Sequence, residues 1–381
     1  RPGGITEVQN QLKNHKQTLL EYVVTDNAVF VFVLNGKQFE VKRLSRDALK
    51  NVSVLKELYN TGPVRFSVAS YQLFNTLIQP VERYITTKQL VIIPDNELFY
   101  LNFEVLISDS STHDFSKMNY LINRYEISYQ LTTSALLFDH KQNSPEDKAL
   151  LFAPVFTDVM KQRYLQSVGD SSLADRQYFT LMRQPFIIRA AREIGKLIRS
   201  DLFAEQAAIE SEFKQRASQY NILHLGTHAE VNNSSPLQSR FFMAKPLKED
   251  STDRDDGYLY AYEIYAMQLR ADLAVLTACE TGSGNWRQGE GVMSLAHSFM
   301  YAGCPSVVMS LWKIDEKSSA DIITTFYKYL ADGKTKSESL RLAKLHHLQS
   351  AGSTLAHPYF WAGMTLVGSE DPLFESPFYA K

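Results

Sequence analysis

A histidine and a cysteine follow two predicted strands and could act together as a nucleophilic pair. The apolar segment Asn221–Gly226 leads into His228, and the apolar segment Asp272–Ala278 leads directly into Cys279. The thiolate is the attacking form of cysteine, but a free cysteine at pH 7 is mostly protonated. An imidazole within hydrogen-bond reach is therefore needed to activate it. The residue types and their positions at strand ends predict thiol-based hydrolysis.

Packing is the competing interpretation, because a cysteine at the end of an apolar strand is most often a small buried hydrophobe. We apply this interpretation to Cys304, and we expect His224, which lies within a strand, to be a packed core histidine. For Cys279 and His228 the paired placement at strand ends favours chemistry over packing. Neither cysteine belongs to a CxxC pair, so we predict no metal site and no cofactor.

Two other chemistries for Cys279 fail on spacing. A phosphatase loop needs an arginine six residues after its cysteine, where this chain has Asn285. The glycines Gly282 and Gly284 lack the third glycine of a dinucleotide-binding loop, because Arg287 occupies its position. We expect these glycines to let the backbone turn sharply after Cys279 and to let a substrate chain approach closely.

The composition indicates a globular chain of one large domain or two. Its 381 residues are 44% hydrophobic, and 40 Lys and Arg against 42 Asp and Glu give a formal net charge of −2. This balance lacks the basic excess of a nucleic-acid binder. The longest apolar run, Ala28–Leu34, is far shorter than the roughly 18 residues that suggest a membrane span. We predict no direct contact with nucleic acid or membrane, and a reducing, cytoplasmic location.

Short apolar strands alternate with amphipathic helices in the second part of the chain. This pattern is typical of a mostly parallel sheet with helices on both faces, in which reactive groups lie at the carboxyl ends of strands. The predicted strands are Ala149–Phe152, Asn221–Gly226, Asp272–Ala278, Pro305–Trp312 and Met364–Val367. The predicted helices are Pro185–Ile198, Glu205–Tyr220, Gly291–Tyr301, Ser318–Leu330 and Thr335–Gln349.

The first part of the chain is also mixed α/β, and a polar stretch separates it from the second. Its predicted elements are an antiparallel meander (Leu20–Val24, Ala28–Leu34 and Gln38–Val41), helices around Asp47–Tyr59 and Phe66–Ile85, and a strand at Gln89–Pro94. The polar, Ser-Pro-containing stretch His140–Lys148 predicts a boundary between residues 1–147 and 148–381.

A second polar stretch, Asn232–Asp256, is too long for an ordinary connector, and we expect an exposed loop. It holds four basic residues at which the chain could process itself, although a loop without this role is the simpler interpretation. The four candidate positions are Arg240, Lys245, Lys248 and Arg254.

Several strings together closely resemble the CHAT family of caspase-like cysteine peptidases in the separase–caspase superfamily. The histidine lies about 50 residues before the cysteine, as it does in caspases. The resemblance extends from roughly Leu19 to Gly368. The matching strings are Leu90–Glu104, Leu225–His228, Leu276–Gly282, Gly289–Leu295, Val307–Asp315 and His357–Gly368.

The resemblance implies a caspase-like α/β fold in which a degenerate first half packs against a catalytic second half. It also implies that Cys279 is the nucleophile and that His228 is the general base and then the general acid. The oxyanion hole would use the backbone N–H groups of Cys279 and Ala229, where family members usually have glycine in place of Ala229. Gly282 and Glu290 would support the cysteine loop, and a helix N-terminal carboxylate is the alternative role for Glu290.

A substrate pocket is also implied by the resemblance. Thr277 occupies the position where an acid in many relatives selects a basic P1 residue, so that route to basic specificity is missing. Asp315 is the one nearby acid that could take its place, and Lys313 corresponds roughly to a caspase arginine that selects aspartate. The strand that holds the substrate backbone in caspases corresponds here to Ser310, Leu311 and Trp312.

Two functions of different classes remain open from the sequence. The first is an endopeptidase acting on a protein substrate and activated by an upstream helical-repeat (TPR-like) region or by an activating complex. Repeat-containing relatives keep their peptidase inactive until the repeats sense a partner, in some cases a nucleic-acid-guided complex. The second is an inactive caspase-like scaffold that relays a signal, which the degenerate first half and Ala229 favour.

Overall fold

The computed structural model of the chain describes residues 4–57, 61–137, 147–247, 255–278, 285–287, 291–293 and 295–374. Three predicted site residues, Cys279, Gly282 and Glu290, lie outside the described residues. The chain divides into two compact units. The first comprises Arg1–His140, Trp286–Val292 and Lys334–Pro372, and the second comprises Lys141–Asn285, Met293–Gly333 and Leu373–Lys381. The division into halves at residue 147 stays a prediction.

The described residues alternate between strands and helices along most of the chain. The strands are β1 (Gln17–Val24), β2 (Val29–Leu34), β3 (Phe39–Leu44), β4 (Gln89–Ile93), β5 (Glu126–Tyr129), β6 (Ala149–Ala153), β7 (Ser200–Ala204), β8 (Ile222–Leu225), β9 (Ala229–Glu230), β10 (Arg240–Phe242), β11 (Tyr258–Tyr260), β12 (Leu273–Leu276), β13 (Asn285–Arg287), β14 (Gly291–Met293), β15 (Ser306–Ser310) and β16 (Met364–Gly368).

Twelve α-helices lie within the described ranges, together with short 3-10 turns. They are α1 (Ile5–Asn14), α2 (Lys50–Lys56), α3 (Pro63–Leu77), α4 (Asp158–Val168), α5 (Arg176–Thr180), α6 (Pro185–Leu197), α7 (Glu210–Arg216), α8 (Ala261–Tyr265), α9 (Leu295–Tyr301), α10 (Glu316–Ala331), α11 (Lys336–Ser350) and α12 (Pro358–Trp361). The described part of the chain contains no helix that is both long and apolar enough to cross a membrane.

The first unit contains the strand order β3-β2-β1-β4-β5-β16. The predicted meander is confirmed, because β1, β2 and β3 pair antiparallel, while β1, β4, β5 and β16 pair parallel. Asn35 forms the turn after β2, where its side-chain oxygen accepts hydrogen bonds from the N–H groups of Lys37 and Gln38, both at 2.9 Å. The predicted helix Phe66–Ile85 was too long, because a residue before a proline, here Pro80, avoids helical backbone angles.

The second unit contains the strand order β15-β12-β8-β6-β7, in which all neighbours are parallel. The predicted α/β class with mostly parallel strands is therefore confirmed. Strands β6, β8 and β12 are buried at every residue, which explains their short continuous apolar sequences. Because the strands are parallel, their carboxyl ends meet at one edge of the sheet, and the residues that follow β6, β8, β12 and β15 lie there.

Two further sequence predictions were wrong in their bounds. The helix expected at Glu205–Tyr220 is only α7, because Glu205 has a φ of 50° and leaves the helical conformation, and the edge strand β7 precedes it. The helix expected from Gly291 begins at Leu295 instead. The first residues of the expected helix, Gly291–Met293, form β14 and pair with β13 in a two-stranded sheet. This is consistent with the poor helix propensity of glycine.

Candidate active site

His228 is positioned by a tightly fixed turn after β8. The N–H of Gly226 donates to the carbonyl of Phe152 at 2.9 Å, and the Thr227 hydroxyl donates to the carbonyl of Phe242 at 2.5 Å. A Cβ atom added at Gly226 would lie 2.3 Å from Cγ2 of Ile187, so only glycine fits without movement. The backbone that leads to His228 is therefore held from three sides.

The imidazole of His228 has a defined orientation. Its Nε2 lies 2.7 Å from the carbonyl oxygen of Met182, and its ring packs at 5.4 Å, tilted by 40°, against the ring of Phe156. A carbonyl oxygen can only accept a hydrogen bond, so Nε2 carries the proton. In the neutral ring Nδ1 is then the unprotonated nitrogen, and it is the atom that can take up a proton.

The surroundings keep this imidazole neutral. Burial lowers the pKa of His228 below its ordinary value, the hydrogen bond to Met182 opposes this effect, and the positive charges of Lys313 and Lys161 lower the pKa further. A neutral imidazole with a free Nδ1 is the form that acts as a general base near pH 7.

A strained turn presents Phe156 to the histidine. Val155 and Phe156, two and three residues after the end of β6, have φ values of 67° and 55°. A β-branched residue in this region is an outlier, and such strain persists only where the surrounding structure enforces it. Here the carbonyl of Val155 accepts a hydrogen bond from the N–H of Gln184 at 3.1 Å, two residues after Met182. The turn thus joins the ring that packs on His228 to the segment that binds its Nε2.

The segment that contains Met182 is fixed at both ends. Nζ of Lys161, on α4, donates to the carbonyls of Leu181 at 2.6 Å and of Phe179 at 3.2 Å. Oε1 of Glu316, in the first turn of α10, accepts from the N–H of Phe186 at 2.7 Å at the start of α6. Because these partners are backbone groups, no side-chain motif in the sequence could have indicated them.

Ala229, the predicted oxyanion donor, lies in the edge strand β9 of the small sheet β11-β10-β9. The N–H of Phe242 donates to the carbonyl of His228 at 2.9 Å, and Ala229 lies opposite Phe241. Hydrogen-bonded and non-hydrogen-bonded pairs alternate in antiparallel strands, so Ala229 and Phe241 form a non-hydrogen-bonded pair. The Ala229 N–H therefore points away from β10, as a glycine N–H would in this position.

The structure describes the backbone of this segment up to Ala278, one residue before Cys279. Leu276 of β12 pairs with Leu225 of β8. In the sequence, Cys279 comes three residues after Leu276, and His228 comes three residues after Leu225. The hydroxyl of Ser310, at the end of β15, donates to the carbonyl of Ala278 at 2.5 Å. Ser310 thus anchors the residue that precedes Cys279.

The hydroxyl of Thr277 is used inside the sheet. It donates to the carbonyl of Leu225 at 3.3 Å and accepts from Nε2 of His224 at 3.0 Å. The predicted core role of His224 is confirmed, since it is buried, stacks on Tyr327 and has a pKa lowered by burial to about 3. Cys304 is likewise buried, as predicted, and burial raises the pKa of its thiol.

The remaining predicted pocket residues follow β15. Leu311 and Trp312 are buried, with 8% and 9% of their surface exposed, whereas Lys313 is exposed. Asp315 caps α10, because its carboxylate accepts from the N–H of Ser318 at 2.8 Å. One oxygen of the Asp315 carboxylate, the candidate group for binding a basic P1 residue, is therefore already used by this capping bond.

The stretch Asn232–Asp256 is not one exposed loop, contrary to expectation. It contains β10, in which Arg240 stacks on Tyr258 and bonds to Glu230, and it contains Lys245, which is only 5% exposed. Lys245 donates to the carbonyl of Asp256 at 2.6 Å and pairs with Asp175. Of the four candidate processing positions, Lys248 and Arg254 lie outside the described residues.

The described residues can supply a base, His228, and a backbone N–H, that of Ala229, and Ser310 fixes the residue that precedes the predicted nucleophile. Among the residues that the structure describes, no group of three or more His, Cys, Asp or Glu side chains could hold a metal ion. The imidazole of His228, with its Nε2 bound to Met182 and its pKa lowered, can act as a general acid and base.

Comparisons with known proteins identify the family and the fold of the chain. The model of the CHAT domain family matches residues 68–369. Over 322 residues the chain is 23% identical to tetratricopeptide repeat protein 28 of Mus musculus and to that of Homo sapiens, covering 76% of this chain and 12% of each of those proteins. The chain thus spans about an eighth of the curated relatives that it matches.

A solved structure shows the same fold. The separase of Saccharomyces cerevisiae, determined in a complex with securin, superimposes with a TM-score of 0.57 at 9% identity over 96% of this chain and 31% of that chain. At this identity the likeness shows the fold alone. The predicted caspase-like α/β fold and the family resemblance drawn from the motifs are both confirmed.

Proposed function

Since the chain belongs to the CHAT domain family, we propose that it is a cysteine endopeptidase that cleaves a protein substrate with Cys279 and His228. The observation that supports this most strongly is the state of His228. Its Nε2 is bound to a backbone carbonyl, and its Nδ1 is left as the basic atom. The pairing of Leu276 with Leu225 in neighbouring strands also supports the proposal, because Cys279 and His228 each come three residues later in the sequence.

The proposed mechanism assigns each step to a named atom. Nδ1 of His228 takes the proton from Sγ of Cys279, and the thiolate attacks the carbonyl carbon of the scissile peptide bond. The N–H groups of Cys279 and Ala229 donate to the resulting oxyanion. The imidazolium then gives its proton to the leaving amine, and water hydrolyses the thioester, with His228 again acting as the base.

The substrate preference follows from how the pocket residues are bonded. The Thr277 hydroxyl is used within the sheet and Asp315 caps α10, so neither supports selection of a basic P1 side chain. We propose that the backbone of the substrate lies along Ser310, Leu311 and Trp312, at the end of β15. The exposed Lys313 favours an acidic or neutral substrate side chain near the scissile bond.

Cleavage of a peptide library derived from a digested proteome tests the function without knowledge of the physiological substrate. We expect new peptide termini with the unaltered chain and none with Cys279→Ala or His228→Gln. Cys304→Ala is the matched control, because it removes a buried thiol and should leave the pattern of termini unchanged. Persistent cleavage by Cys279→Ala would show that another group performs the reaction.

Activation by a neighbouring region is the second element of the proposal. The curated relatives are named for tetratricopeptide repeats, and the matched segment is 12% of their length. We infer that the chain works beside a helical-repeat region or an activating complex that controls access to the site. The library experiment is therefore performed on this chain alone and in the presence of a candidate helical-repeat region, and activity that appears only with the added region supports this control.

A non-catalytic scaffold is the alternative, and alanine at position 229, where family members usually have glycine, favours it. A scaffold has no need for an activated thiol, so the pKa of Cys279 would be near the ordinary value of about 8.5. The absence of cleavage in every form of the protein, together with an ordinary thiol pKa, would establish the scaffold function.

A further inference from the structure

Lys161 lies beneath the segment that orients the proposed catalytic base. It is on α4, and its ammonium donates to the carbonyls of Leu181 at 2.6 Å and Phe179 at 3.2 Å. Leu181 is followed by Met182, whose carbonyl accepts a hydrogen bond from Nε2 of His228 at 2.7 Å. A single side chain is therefore linked to the imidazole through one backbone segment.

The partners of this ammonium are unusual for a lysine near the surface. Both acceptors are main-chain carbonyls, which do not cancel its charge, so the positive charge of Lys161 acts on His228 and lowers its pKa. Carbonyl groups that point at an ammonium are held more firmly than carbonyls that face water, because hydrogen bonds to charged groups are the stronger ones.

We propose that Lys161 is a positioning residue for His228, holding residues 179–182 so that the Met182 carbonyl fixes the ring with its proton on Nε2 and its Nδ1 free. The side chain does not touch the substrate or the reacting atoms in this role. The catalytic consequence rests on the proposed function, but the orientation of the ring does not require any activity.

If Lys161 acted only through its charge, its removal would change the pKa of His228 in the direction opposite to that expected from a positioning role. Among the described residues, Lys161 and Lys313 are the charged groups that act on His228, and both lower its pKa. Loss of the charge alone would therefore raise the pKa. Loss of the hydrogen bond from Nε2 to Met182, which favours the protonated ring, would lower it, and this effect is larger than that of Lys161.

The experiment is nuclear magnetic resonance of the protein with ¹⁵N-labelled histidine, in which His228→Gln assigns the signals of the ring. In the unaltered chain we expect the neutral ring to have its proton on Nε2, with slow exchange of that proton. Lys161→Met should give a mixture of the two tautomers, a lower pKa and exchange about tenfold faster, as expected for the loss of one hydrogen bond.

Three further variants complete the design. Arg163→Met removes one positive charge from an exposed residue of the same helix and should leave the ring signals unchanged. Lys161→Arg keeps the charge and can donate to both carbonyls, so it should restore the Nε2 proton. Lys161→Gln, which keeps one donor and a similar length, provides the intermediate case if Lys161→Met does not fold.

The outcomes separate the inference from the proposed function. A tautomer and exchange rate in Lys161→Met identical to those of the unaltered chain would overturn the positioning role, and so would a raised pKa with the Nε2 proton retained. Neither result depends on peptidase activity, since the ring is observed directly. Conversely, a chain without peptidase activity whose ring responds as expected would keep the positioning role and lose the proposed function.

Discussion

The close packing of Gly226 against Ile187 allows a direct test of how the turn before His228 is held. Gly226 lies two residues before the histidine, and a Cβ atom at this position would be 2.3 Å from Cγ2 of Ile187, 3.4 Å from Oγ1 of Thr277 and 3.5 Å from the carbonyl of Phe152. Gly226→Ala therefore forces the end of β8 away from α6, or Ile187 away from the sheet. The perturbation is one methyl group.

The expected magnitude follows from the distance. Carbon atoms in van der Waals contact are about 3.5–4.0 Å apart, so the new methyl group overlaps Ile187 by more than 1 Å. Overpacking of this kind costs about 1–3 kcal/mol of the free energy of unfolding. Ile187→Ala alone removes a side chain that is only 5% exposed and should cost about 2–5 kcal/mol.

The double variant is the decisive measurement. In Gly226→Ala with Ile187→Ala, the new methyl group enters space that the isoleucine has left, so the combined loss should be smaller than the sum by at least about 1 kcal/mol. Urea unfolding followed by circular dichroism gives the four free energies. Gly352→Ala is the control, since a Cβ atom there meets nothing within 4 Å, and it should change stability by less than about 0.5 kcal/mol.

Additivity would refute the reasoning. If the two single losses simply sum, then Gly226 and Ile187 do not compete for the same space, and the account of a turn held by close packing is wrong. A loss from Gly226→Ala no larger than that from Gly352→Ala would contradict it equally.

Two further predictions concern the charges at the site and in the core. Burial and two lysines lower the pKa of His228, so kcat/KM should fall on the acid side with a midpoint below the ordinary histidine value of about 6.5. Lys313→Met removes one of these positive charges and should raise the midpoint. An unchanged midpoint in this variant would contradict the effect of the charge. In the first unit, Lys344→Met leaves the buried carboxylate of Glu104 without its cation and should lower the free energy of unfolding in urea by about 3–5 kcal/mol. The additional substitution Glu104→Gln should recover part of this loss. Equal stability of the single and double variants would exclude the buried ion pair as the cause.

The sequence predicted those features that depend on apolar continuity. Strands such as β8 and β12 are buried at every residue, so their apolar runs are visible, and the residues after them, including His228, could be placed at the carboxyl edge. The burial of His224 followed from the run that forms β8, whereas that of Cys304 followed from the usual burial of a cysteine without a catalytic partner. Apolar patterning therefore located the candidate histidine as well as the strands that position it.

Features that depend on backbone partners could not be predicted. The acceptor for His228 is a main-chain carbonyl of Met182, a residue whose side chain is 75% exposed and has no motif. The edge strand β7 is only partly buried and lacks an apolar run, and Glu205 leaves the helical conformation without any glycine or proline to indicate it. These arrangements arise from tertiary contacts between segments that are distant in sequence.

The pH dependence of alkylation of Cys279 tests the central claim most directly. Iodoacetamide is applied to the Cys304→Ala background, in which Cys279 is the single cysteine, with and without His228→Gln. We expect the thiol to react with a midpoint below about pH 8.5, and we expect His228→Gln to raise the midpoint to that ordinary value. Identical curves for the two proteins would contradict the pairing of the thiol with the imidazole.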